Sequence, residues 1–143
     1  MADRNTEAVL AVNQAMYDAI ETGDIDLMNS LWTARSEAIC IHPGAEPIRG
    51  ASQVSRSWAM LMANVGYIQF FLTDVTVSFL PHAERPQVAY LTCTENMLSS
   101  EGVDSVESFT GGKAVASNVF VLEDEHWKLA AHHSSPVAVQ EEQ

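Results

Sequence analysis

Basic residues are the scarcest feature of this 143-residue chain: seven Lys and Arg stand against 19 Asp and Glu, a formal net charge of −12. Nucleic-acid binding needs clustered Lys and Arg, and here the few are scattered, so nucleic acid is excluded as a partner, and an anionic membrane surface with it. Long apolar runs are missing too; none approaches the roughly 20 residues of a membrane span. The start, Met1-Ala2-Asp3-Arg4-Asn5, lacks the apolar segment of a secretion signal. Cysteine is rare. Cys40 and Cys93 stand apart with no CxxC motif, so they read as buried reduced thiols, and a cytoplasmic protein is the expectation. No G-x-S-x-G elbow exists, and neither cysteine has a basic neighbour to make it a thiolate, which argues against a nucleophilic triad. Histidines at HxH or HxxxH spacing are also absent, so neither a metal nor any other cofactor is expected.

What is present is apolar patterning. Almost half of the residues are hydrophobic, enough for one domain over residues 1–143 with its core within about 6–137. Val9, Val12, Met16, Ala19 and Ile20 have helical spacing up to Gly23, which stops that helix. Asp24 can cap a second helix carrying Ile25, Met28, Leu31 and Trp32. Residues 38–42 form a short strand ending at Pro43-Gly44, and a third helix begins near Gly50 or Ser52, with Val54, Trp58, Leu61 and Val65 on one stripe. After Gly66 the period becomes two. Val75, Val77 and Phe79 mark one face of a strand, whereas Ile68, Phe70 and Leu72 fall on the opposite parity. Either a partner subunit covers that second face or a β-bulge switches the register.

Two further strands follow at 87–98 and 113–122, joined by an acidic, Ser/Gly-rich connection at 99–112. The acidic turn Glu123-Asp124-Glu125 leads to a last strand closing on Trp127–Pro136, and a polar tail at 140–143 is expected to fray. Three helical segments followed by a long antiparallel run predict an α+β fold, three N-terminal helices packed on a curved antiparallel sheet.

Each late strand carries one polar group among apolar neighbours of the same parity. Glu95 lies with Leu91, Cys93 and Met97. Asn118 lies with Ala116, Phe120 and Leu122, and His133 lies with Trp127, Leu129 and Ala131. If the three faces converge, an apolar hollow holds a carboxylate, an amide and an imidazole, the composition of a small-molecule site. Otherwise each is a hydrogen-bonded core residue. His42, fixed before Pro43-Gly44, suits a general base or a ligand-positioning donor. Tyr17, Trp32, Trp58, Met97 and Phe120 are candidate wall or contact residues, or simply core packing.

The order of elements resembles the NTF2-like superfamily and, more narrowly, its SnoaL-like domains. The residues that carry the resemblance are Gly23-Asp24, Cys40-Ile41-His42-Pro43-Gly44, Gly50 with Val54 and Ser57-Trp58, Ser117-Asn118-Val119-Phe120, and Trp127 followed by His132-His133-Ser134-Ser135-Pro136. It implies a cone-shaped sheet around a deep pocket and a homodimer through the sheet face. His42 falls where the ketosteroid isomerase branch has a general-base aspartate before a proline. Asn118 falls near that branch's protonated aspartate, and Met16, beside Tyr17, takes the place of its oxyanion tyrosine. Three departures speak against steroid isomerisation, and the arginines do not supply the Asp-Arg-Asp network of the epoxide hydrolase branch. The expected function is binding of a small, mostly apolar molecule, with acid–base chemistry of the isomerase, dehydratase or hydrolase type. His42 would be the base, Glu95 or His133 its proton partner, and Asn118 a donor to a developing oxyanion. The alternative is a non-catalytic binding or oligomerisation module.

Overall fold

The computed structural model describes residues 3–100 and 109–138; the polar tail at 140–143 and most of the 99–112 connection lie outside them. Helix α1 (Arg4–Thr22) is capped by the Asp3 carboxylate at its start and by Gly23 at its end, in the left-handed conformation (φ 67°) that glycine adopts without strain. The Asp24 side chain then accepts from the Leu27 amide and starts α2 (Ile25–Leu31). Strands β1 (Ile39–Ile41) and β2 (Ile48–Arg49) precede α3 (Ala51–Asn64), and β3 (Ile68–Leu80), β4 (Val88–Ser100), β5 (Phe109–Glu123) and β6 (His126–Pro136) complete the chain. Strand β2, two residues long, is too short to leave a pattern in sequence.

The sheet runs β2-β1-β6-β5-β4-β3, and the three helices pack on it in an NTF2-like α+β arrangement. The long strands are antiparallel to their neighbours, but β1 joins β6 in parallel, so the sheet is mixed rather than purely antiparallel. Between β5 and β6, Asp124 and Glu125 both take positive φ, the geometry of a two-residue turn whose twist suits a hairpin. The core contains Val9, Met16, Tyr17 and Ile20 of α1, Met28 of α2, Val54 and Trp58 of α3, and Leu91, Phe120 and Leu129 of the sheet. Helix α3 is held by few anchors. Trp58 is almost fully buried, and its loss to alanine would cost about 3–5 kcal/mol.

Two bulges decide which side chains face the helices. In β3 the pairing with β4 shifts between Thr73 and Thr76, where Asp74 takes a φ of 52°. Ile68, Phe70 and Leu72 before the bulge therefore face inward, as do Val77 and Phe79 after it. Of the two alternatives for Ile68, Phe70 and Leu72, the β-bulge holds and the partner-subunit surface does not: they pack against the core, and the bulge explains why both parities are apolar. In β6, Phe120 pairs with Leu129 but Val119 with Ala131, which leaves Ala130 as an extra residue. Trp127 and Leu129 point inward before it, His132 and Ser134 after it.

Candidate functional site

The β6 bulge overturns one site residue directly. His133, expected inside with Trp127 and Leu129, is exposed on the outer face of the sheet; His132 takes the inner position and is 4% exposed. A one-residue insertion inverts every side chain beyond it, and nothing in the local composition announces the insertion. Glu95 and Asn118 are buried on the inner face, at 3% and 0% exposure, with the parity read from sequence.

These groups form two hydrogen-bonded chains. In the first, Glu95 accepts from both sides: the Tyr17 hydroxyl donates to Oε2 at 2.5 Å and the Ser134 hydroxyl to Oε1 at 2.6 Å. Strand β5 lies between Glu95 and Ser134, and the contact crosses it because the intervening inward residues, Ala114 and Ala116, are small. The Tyr17 phenol is pushed well above its ordinary range, first by burial and then by the charge of Glu95, so it stays a donor.

In the second chain, His132 Nδ1 lies 2.5 Å from Asn118 Oδ1, its pairing partner on β5, and the Asn118 amide donates to Asn13 Oδ1 of α1 at 2.7 Å. A carbonyl oxygen only accepts, so the His132 proton sits on Nδ1. Nε2 has no hydrogen-bond partner among the described residues. Burial, reinforced by His42 and His133, lowers the His132 pKa to about 3 and keeps the ring neutral.

A cavity of about 130 Å³ opens over these chains. Its walls are Ile20, Trp58, Leu61, Val65, Ile68, Phe70, Met97 and Pro43, and its polar members are Glu95, His132 and Ser134. Of the five candidate wall residues, Trp58 and Met97 line this cavity. Tyr17 reaches it only through Glu95, Phe120 is core, and Trp32 packs beside Leu129 and borders a separate groove with Asn29, Ser52 and Ser55. That groove is larger, about 290 Å³, but is not joined to the buried polar chains.

His42 stands behind the wall. Its ring meets Trp58 edge-on at 4.7 Å, and its Nε2 is 3.0 Å from Ser57 Oγ. Ser57 already donates to the Val54 carbonyl, so His42 must be the donor in that bond. Burial lowers its pKa. Asn118 has its oxygen and amide engaged by His132 and Asn13, so it orients the imidazole instead of facing the cavity. Ser134 and Asn13 were missed from sequence; the alanines at 114 and 116, which make room over β5, were the available signal. Both cysteines are buried and free, and burial raises Cys40 to about 12 and Cys93 to about 11.

The helix layer, the sheet and the cavity between them define an NTF2-like protein. Residues 9–140 match the SnoaL-like domain model, so the chain belongs to the SnoaL-like domain family. It is similar to a protein of Streptomyces avermitilis, provisionally named a dehydratase of the NTF2-like family, with 41% identity over 94% of this chain and 97% of that one and a TM-score of 0.82. An NTF2-like superfamily protein of Salmonella enterica shares the fold, with 15% identity, coverage of 94% and 92%, and a TM-score of 0.77. The Arabidopsis thaliana F-box protein SKIP8 is 25% identical over 138 residues; the chain spans about half of that protein's length, 53%, with 96% of its own. Among the described residues no helix is long and apolar enough to cross a membrane.

Proposed function

We propose that the protein binds a small, mostly apolar molecule in the cavity over Glu95 and His132 and performs acid–base chemistry on it. The observation that carries this reading is the lining itself: eight apolar or aromatic walls and three convergent polar side chains, two of them ionisable. Glu95 takes the proton, held in place by Tyr17 and Ser134, and His132 receives the ligand's polar head through Nε2. The dehydratase name of the Streptomyces protein agrees with such chemistry. His42 serves as a support for Trp58, and Asn118 as a positioning residue for His132.

A non-catalytic binder is the second reading, and one observation favours it. A histidine whose pKa is about 3 is too weak a base to take a proton near neutral pH. The reactivity then rests on Glu95 alone. Glu95→Gln and His132→Gln are expected to weaken binding or turnover at least tenfold, whereas His133→Gln on the outer face leaves both unchanged. Equal loss in all three, or none in the first two, rejects the site. Ligand-induced stabilisation with no product selects the binder.

We also propose a homodimer through the outer sheet face, supported by the exposed Phe71, Tyr90 and Val115 on neighbouring strands. A cytoplasmic setting is proposed on the two unpaired, buried thiols.

A further inference from the structure

Resting on the reading of this cavity as the ligand site, we infer that its ligand is a hydrogen-bond donor: an apolar body about the size of one aromatic ring, carrying a hydroxyl or amine head. The argument is an inventory of protons. Of the polar residues lining the cavity, Ser134 directs its only hydroxyl hydrogen at Glu95 Oε1. His132 directs its only ring hydrogen at Asn118 Oδ1. Both Glu95 oxygens accept, one from Ser134 and one from Tyr17, whose hydroxyl hydrogen is thereby engaged too. What the three lining groups keep is lone pairs, Nε2 of His132, Oγ of Ser134 and the second lone pairs of the carboxylate, and they meet the cavity as one small polar spot in an otherwise apolar surface.

Trp58 lines the cavity with ring atoms, but its Nε1 is buried away from any water-sized space and has no hydrogen-bond partner. The polar floor therefore offers acceptors and no free donor. A ketone, ester or epoxide would set its own oxygen against these lone pairs, leaving both sides unpaired in an apolar enclosure. An O–H or N–H head satisfies them. Size follows from the volume. A space of about 130 Å³ is close to the roughly 150 Å³ of an engineered apolar cavity that admits benzene.

The test is a matched series titrated into the full chain by calorimetry: benzyl alcohol and benzylamine against benzaldehyde and toluene, which have nearly the same shape. The expected result is that the better of the two donors binds at least tenfold more tightly than benzaldehyde or toluene. Which donor wins tells a neutral head from a cationic one. A ratio below tenfold overturns the inference while leaving the cavity as a ligand site. Failure of all four compounds to bind at millimolar concentration overturns the site reading and the inference together. Glu95→Gln, which places an amide donor on the floor, is expected to bring the ratio down at least threefold; an unchanged ratio in the folded variant also overturns it. Should that variant not fold, the wild-type series decides.

Discussion

At the residue scale, the arrangement of protons explains more than the list of side chains does. His132 and His42 are both imidazoles near Trp58, yet their tautomers differ. Asn118 Oδ1 fixes the proton of His132 on Nδ1, whereas Ser57, already donating to Val54, requires that of His42 on Nε2. Both rings are held below their ordinary pKa, chiefly by burial. In the unfolded chain a histidine titrates near 6.5. Above that pH both states are neutral, and the contribution to stability is complete. As pH falls below 6.5, the unfolded chain takes up protons that native His132 refuses until about pH 3, so stability declines. Between pH 6.5 and 5 the loss from His132 alone is about 1–2 kcal/mol, and His42 acts in the same direction. Urea midpoints measured across that window should drop; a flat profile would contradict the neutral buried imidazole.

At the element scale, β4, β5 and β6 cooperate through what β5 lacks. Ala114 and Ala116 keep the inner surface of β5 low, so that Glu95 and Ser134 meet above it. Ala116→Leu should overpack this gap, at a cost of about 1–3 kcal/mol, and separate the two partners. Thermal unfolding with and without a bound probe checks this: the variant should lose ligand-induced stabilisation even where it remains folded. Persistence of that stabilisation would show that the Glu95–Ser134 bridge is dispensable. The two bulges act in the same way as the alanines, by local geometry. Asp74 turns β3 so that Ile68, Phe70 and Leu72 before the irregularity and Val77 and Phe79 after it all face inward, and Ala130 turns β6 so that His132 faces inward in place of His133.

At the scale of the whole molecule, the helices cover one face of the sheet and leave the other to solvent. The outer face carries Phe71, Tyr90 and Val115 beside threonines, including Thr76 and Thr92, whose hydroxyls bond across the strands at 2.7 Å. A second copy docking there would bury the three large side chains without touching the cavity. Light scattering at micromolar concentration should report a dimer, and Phe71→Lys should shift it towards monomer by at least tenfold in dissociation constant. A wild-type monomer at that concentration rejects the dimer surface. The cavity lies on the opposite face, so Phe71→Lys should leave ligand affinity unaltered.

Much of this was legible in the chain itself. Helical spacing, Gly23-Asp24, Pro43-Gly44 and the period-two strands follow from local propensity and turn chemistry, and they suffice for the order of elements and the family resemblance. So does the inward parity of Glu95 and Asn118, because β4 and the Ala114–Phe120 stretch of β5 run without interruption. The sequence could not settle which histidine enters the core or what covers Ile68, Phe70 and Leu72. A bulge is one residue's excess over a partner strand and exists only in the pairing. Nor could it assign Ser134, Asn13 and the direction of each polar hydrogen. Those depend on contacts between residues up to 105 positions apart, which only the folded chain brings together.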